Sequence, residues 1–144
     1  MKINVKKLRD TAVLPEQGST FAAGYDLFAD VDEAIEIEPH KTAMVPTGLA
    51  MEIPEGYFGG IFARSGLASK EGLRPANCVG VVDADYRGEV KVALHNDGEV
   101  VRTVLPRQKV AQLVVVPFLS VEFDEVEALS DTVRGVGGFG STGK

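Results

Sequence analysis

The sequence predicts an all-β fold, a sandwich or barrel of short strands with one short helix and a flexible glycine-rich C-terminal tail. Three observations carry that expectation. Apolar and polar residues alternate with a period of two in several short runs, the pattern of half-buried strands. Breakers interrupt those runs at short intervals: Pro39, Pro46, Gly48, Pro54, Gly56, Gly59-Gly60, Gly80, Gly88, Asn96-Asp97-Gly98, Pro106 and Pro117. Finally, Arg134 to Lys144 reads RGVGGFGSTGK, with almost no apolar surface to offset the entropy of ordering its glycines.

The elements follow in chain order. Ile35 and Ile37 alternate with Glu36 and Glu38, so this strand buries one face. A short helix is expected over Ser65 to Glu71, with Ser65 as its cap and Gly72 as its stop. Glycines bracket Gly80-Val-Val-Asp-Ala-Asp-Tyr-Arg-Gly88, which reads as a hairpin or a sharply bent strand pair. In an extended segment Asp83 and Asp85 would project to one side. Val90, Val92 and Leu94 alternate with Lys91 and Ala93 in a further half-buried strand. Val110, Leu113 to Val116 and Phe118 form a more continuous apolar run, suited to a strand buried on both faces. Residues 1–133 are thus expected as one β domain, and 134–144 as a flexible lid.

Composition narrows the function classes. At 144 residues the chain is long enough for one domain with a substantial core. A net charge of −6 argues against a nucleic-acid polymer as partner, which usually calls for a basic face. A small phosphorylated ligand needs only local positive charge or a divalent cation. No apolar run approaches a membrane span, and Met1 to Asp10 has no signal-peptide pattern. The single cysteine, Cys78, suits a cytoplasmic setting, and with only His40 and His95 beside it a zinc site is not expected.

The tail carries what a phosphate ligand requires: unhindered N–H groups, the Ser141-Thr142 hydroxyls, the Arg134 guanidinium, and Phe139 as a face that can stack on a ring. Two fingerprints match here by accident. Gly135 to Gly140 satisfies G-x-G-x-x-G and Gly138 to Lys144 satisfies G-x-x-x-x-G-K, but neither is followed by the helix that would hold the phosphate. The run from Asp83 resembles a calcium loop only until Arg87 and Leu94, which stand where oxygen ligands belong. Asp83 beside a phosphate site can orient a water molecule and accept its proton; otherwise it is an ordinary turn aspartate. Arg64-Ser65 combines a guanidinium, a hydroxyl and free N–H groups, and Gln112 places one amide inside an apolar strand, where it needs a partner.

Taken together and in order, five segments closely resemble those of the trimeric dUTPases, over Ala23 to Gly143. They are Ala23-Gly24-Tyr25-Asp26-Leu27, Arg64 to Ala68, Asn77 to Tyr86, Val110-Ala111-Gln112 with its flanks, and Arg134 to Gly143. The fourth departs from the family pattern. Arg107-Gln108 stands where the family usually has Gly-Asp or Gly-Glu, and Lys109 where it has arginine. The local turn and its ion pair are the points this change bears on.

The resemblance implies a jelly-roll-like distorted β-barrel (the β-clip type), a homotrimer with shared active sites, and Mg²⁺-dependent hydrolysis of dUTP to dUMP and pyrophosphate. Such a reaction keeps uracil out of DNA and supplies dUMP for thymidylate synthesis. By the same resemblance Asp83 would orient the water attacking the α-phosphorus, and Tyr86 would pack on the deoxyribose. Asn77 with the Gly80 and Val82 backbone would read uracil. Arg64, Ser65, Gly66 and Gln112 would hold phosphate oxygens. Asp26 would fix Mg²⁺ through water, and Arg134, Phe139, Gly140, Ser141 and Thr142 would close over the ligand. Related alternatives are a dCTP deaminase relative and a nucleotide-binding regulatory protein without turnover. Gly66-Leu67-Ala68 after Ser65 speaks against the first, and the presence of Asp83, Tyr86 and the whole tail against the second.

Overall fold

The alternating runs become twelve short strands in the computed structural model, which describes residues 1–139. Strands β1 (Asn4–Lys7) and β6 (Leu49–Glu52) form one antiparallel pair, and β4 (Ile35–Ile37) and β11 (Arg102–Val104) another. Strands β5 (Thr42–Pro46), β10 (Lys91–Asn96) and β8 (Leu73–Pro75) make a three-stranded sheet in that order. The largest sheet runs β2 (Glu16–Gln17), β3 (Tyr25–Phe28), β12 (Lys109–Pro117), β7 (Tyr57–Phe62), β9 (Gly80–Val82). This is the expected all-β, jelly-roll-like architecture. Among the described residues no helix is long and apolar enough to cross a membrane.

The core is aliphatic. Leu27, Ile37, Val45, Leu49, Leu73, Val92, Leu94, Val104 and Val110 belong to one buried cluster, and each such side chain stabilises the fold by about 1.5–3 kcal/mol when fully buried. In β10 the predicted alternation holds: Val92 and Leu94 point inward while Lys91 is exposed. The same face then buries Asn96, whose amide donates to the Ile37 and Val100 carbonyls and accepts from the Gly98 N–H. Strand β12 is buried less fully than expected. Val110, Ala111 and Leu113 are buried, but Val114 to Val116 are only half-buried. Along it β3 pairs from Lys109 to Leu113 and β7 from Gln112 to Pro117, so both flank it only at Gln112 and Leu113.

Three local expectations are met only in part. The chain is helical from Ser65 to Glu71 as expected, and its Leu67–Glu71 part is wound wide, with the Gly72 N–H reaching the Leu67 carbonyl. Gly72 ends it in the left-handed conformation as expected, but Ser65 makes no capping bond, because it lies inside the helical stretch, whose first bond runs from the Ala68 N–H to the Arg64 carbonyl, and its own carbonyl accepts from the Ser69 hydroxyl at 2.6 Å. Gly80 to Gly88 forms the bent alternative and no hairpin: β9 pairs with β7, a turn closes from Asp83 to Tyr86, and β10 enters the other sheet. Asp83 and Asp85 therefore lie in a turn, where strand alternation does not set their directions. At Arg107-Gln108 the turn survives without its glycine. Arg107 adopts a φ of 63°, its N–H reaches the Ala29 carbonyl, and the Gln108 side chain accepts from the Leu105 N–H.

Past Pro117 the chain has no further strand among the described residues. Leu119, Phe123 and Leu129 on this extended arm are each more than four-fifths exposed.

Candidate active site

The centre of the large sheet builds the first of two clefts. Register sets Gln112 of β12 beside Asp26 of β3 on one side and Phe62 of β7 on the other. Its amide nitrogen donates to the Ala63 carbonyl at 2.9 Å, which satisfies the polar group within the strand. The Oε1 lies over Gly24, where any Cβ would collide with it. Asp26 is flanked by two cations, Arg64 Nε at 2.9 Å and Lys109 Nζ at 2.8 Å. Partial burial pushes the Asp26 carboxyl up, but the Lys109 hydrogen bond and the Arg64 charge together outweigh it and hold the group below the usual carboxylate range. Lys109 also stands 5.6 Å over the ring of Phe28, a cation–π contact.

Gly24, Asp26, Arg64 and Gln112, with Gly18, Ala22, Ser65 and Gly66, line a cleft of about 260 Å³. An amide, a hydroxyl and a guanidinium converge there, with Ser65 free of capping duty and Arg64 engaged with Asp26 through Nε. That donor set suits an oxyanion. Among the described residues no three His, Cys, Asp or Glu side chains group as a metal site, so Asp26 stands as the one carboxylate lining this cleft.

A second cleft of about 260 Å³ opens beside β9, lined by Asn77, Gly80, Val82, Asp83 and Tyr86 together with Met44, Ile61, Val81, Glu89, Val90 and Lys91. Its floor is close-packed: a Cβ on Gly80 would meet Ile61 at 3.1 Å and the Asn77 amide nitrogen at 3.2 Å. The Tyr86 hydroxyl donates to the Glu89 carbonyl at 2.9 Å, so the ring crosses Gly88, where a Cβ would lie 2.5 Å from that oxygen. Gly88 is small because Tyr86 passes over it. The cleft offers apolar walls, the Asn77 amide, the Asp83 and Glu89 carboxylates and the Lys91 ammonium, and shares no lining residue with the first.

The structure thus groups the sequence-predicted residues as two sets, Asp26-Arg64-Ser65-Gly66-Gln112 and Asn77-Gly80-Val82-Asp83-Tyr86. Arg134 and Phe139 line neither cleft; Arg134 folds locally onto the Gly137 carbonyl and Phe139 is fully exposed. Gly140, Ser141 and Thr142 lie outside the described residues. Sequence reasoning passed over Lys109 as a partner of Asp26, Gly24 as the space for Gln112, and Met44 and Lys91 as cleft walls. Lys109 alone left a signal, by standing within the Lys-Val-Ala-Gln segment.

Known proteins match this arrangement over nearly its whole length. The dUTPase family pattern covers residues 10–143. A deoxyuridine 5'-triphosphate nucleotidohydrolase of Hydrogenobaculum sp. (strain Y04AAS1) is 49% identical over 145 residues, 99% of each chain. That of Acinetobacter baumannii (strain ATCC 17978) is 44% identical over 149 residues, covering 100% of this chain and 99% of the relative. Among solved structures, the Staphylococcus bacteriophage 80alpha dUTPase with dUpNHpp superimposes with a TM-score of 0.90 at 32% identity, over 99% of both chains. An aspartate-to-asparagine mutant of the dUTPase from phage phi11 of S. aureus, whose structure describes the coordination of a structural Mg(II) ion, gives a TM-score of 0.81 at 28% identity over 91% of this chain and 100% of that one. With this fold, these clefts and these relatives, the chain belongs to the dUTPase family, enzymes that hydrolyse deoxyuridine 5'-triphosphate.

Proposed function

We propose that the protein cleaves dUTP to dUMP and pyrophosphate with Mg²⁺ carried on the triphosphate, in a homotrimer whose active sites combine residues of different subunits. The observation that carries this reading is the division of site chemistry between two clefts with no shared wall. One suits phosphate, the other a nucleoside with a carboxylate at its side, and a neighbouring copy can bring one to the other. The exposed apolar arm after Pro117 supports association, as does an apolar groove of about 460 Å³ lined by Ile3, Val5, Tyr25, Met51, Leu113 and Val115 among others.

In the proposed reaction Asp83 holds a water in line with the α-phosphorus and accepts its proton. The water oxygen forms the new bond to phosphorus as the bond to the bridging oxygen breaks, and pyrophosphate leaves. A carboxylate is a weak base, so positioning is its main contribution. Arg64, Ser65, the Gly66 N–H and Gln112 bind phosphate oxygens. Arg134, Phe139, Gly140, Ser141 and Thr142 complete the enclosure. Asn77 and the Gly80 and Val82 backbone face the uracil edge, and the Tyr86 ring excludes a 2′-hydroxyl. Asp26 fits a hard cation held mainly by the ligand's phosphates and touched through water. When bound, such an ion neutralises phosphate charge. Hydrolysis in the cytoplasm would withdraw dUTP from DNA synthesis and leave dUMP for thymidylate formation.

The test is incubation with dUTP, dCTP, UTP and dTTP plus Mg²⁺, following pyrophosphate and ammonia. Pyrophosphate from dUTP alone is expected. Ammonia from dCTP would replace this reading with a deaminase, and tight binding without product would replace it with a regulatory role.

A further inference from the structure

We propose that Arg74 is a positioning residue for the nucleoside cleft, bracing the turn that presents Asn77. The inference rests on the functional reading above for its kinetic consequences, but its structural basis is independent. Arg74 lies on β8, directly before the turn Ala76–Val79 that leads into β9. That turn is closed by the Cys78 N–H donating to the Pro75 carbonyl at 3.1 Å. Cys78 takes a φ of 64°, a conformation that costs a non-glycine residue about 1–2 kcal/mol. The turn therefore needs support from outside its own backbone.

Arg74 supplies it. One terminal nitrogen donates to the same Pro75 carbonyl at 3.1 Å and reaches the Cys78 sulfur at 3.7 Å. Nε and the other terminal nitrogen grip both oxygens of Asp97, a two-pronged pair that fixes the guanidinium plane. Asp97 is itself anchored: its N–H donates to the Gly72 carbonyl at 2.8 Å. Its neighbour is the fully buried Asn96, which hydrogen-bonds the Ile37 carbonyl of the core and ties in the Gly98 N–H and Val100 carbonyl of its own loop. A continuous path thus runs from buried Asn96 through Asp97 and Arg74 to the turn carrying Asn77. The Arg74 and Asp97 side chains are 34% and 44% exposed, so the pair adds little to global stability. Its effect is local.

The experiment compares wild type, Arg74→Ala, Asp97→Ala and the double variant by kinetics with dUTP, thermal melting and amide hydrogen exchange. In Arg74→Ala, KM for dUTP is expected to rise about two- to fivefold while kcat stays nearly unchanged, the size of effect a lost exposed charge pair can carry. The double variant should be no worse than Arg74→Ala, because both remove one coupled unit. Exchange at the Cys78 amide should quicken about tenfold, with the β10 amides unchanged. An unchanged KM, additive effects in the double variant, or a melting temperature that falls in step with activity would overturn the proposal. If wild type does not hydrolyse dUTP, the functional reading fails; the exchange rate at Cys78 then decides the brace by itself.

Discussion

Gly24 and Gln112 show how one missing side chain sets the pose of another. A Cβ at Gly24 would meet the Gln112 Oε1, but the clash falls on the far end of a flexible side chain, so the fold can yield there at little cost. Gly24→Ala should lose about 1 kcal/mol of stability, the worth of the displaced Gln112–Ala63 bond, while KM for dUTP rises about tenfold; denaturant melts and initial rates check both. Asp26 gives a pH dependence with a definite sign. Its folded pKa lies below the unfolded value of about 3.9. Its contribution is therefore complete above pH ~4 and lost as pH falls through the folded pKa. Asp26→Asn should flatten this acid limb in urea midpoints measured against pH; an unaltered slope would show that Lys109 and Arg64 do not govern it. For Asp83→Asn, turnover should fall by about 10²–10⁴-fold, the usual loss on removing a general base, with binding of a non-hydrolysable dUTP analogue retained. Near-normal turnover would move the base elsewhere.

At the scale of elements, the central strand β12 and the arm that follows it divide the labour. The first half of β12 pairs with β3, is joined by β7 from Gln112 onward, and carries Lys109 and Gln112; its second half and the arm beyond Pro117 leave apolar side chains partly or wholly uncovered. Val121 and Phe123 alternate with Glu122 and Asp124, a strand-like pattern without a strand partner among the described residues. An element of this kind buries its apolar face by pairing elsewhere. If the protein forms the proposed trimer, Phe123→Asp should shift it to smaller species in light scattering and leave the far-ultraviolet β signature unchanged. A trimer that persists would assign association to other surfaces.

Across the whole molecule, the proposed sharing of sites would make activity a property of the assembly. Deleting Arg134 to Lys144 should leave the thermal midpoint nearly unchanged, since Arg134 to Phe139 bury no core side chain, yet abolish turnover by removing the tail's phosphate donors and Phe139. Mixing these subunits with Asp83→Asn subunits separates the arrangements. Shared sites predict partial recovery from two inactive proteins, because some sites then draw an intact Asp83 and an intact tail from different chains. No recovery at any ratio would place both on one chain.

Sequence alone determined the strand character, the breakers between strands and the family, because alternation, turn chemistry and the five ordered segments are local properties that survive without coordinates. It also identified the residues gathered in the clefts, Asp26, Arg64, Gln112, Asn77, Asp83 and Tyr86 among them. Which of these meet was decided by tertiary structure. A period of two assigns a side chain to a face but not to a neighbour; strand register made Asp26 the partner of both Arg64 and Lys109, and laid Gln112 over Gly24. The same holds for Arg107, where propensity calls for glycine. There the Ala29 and Leu105 contacts hold the turn and the backbone follows, because distant hydrogen bonds can outweigh a local preference of about 1–2 kcal/mol.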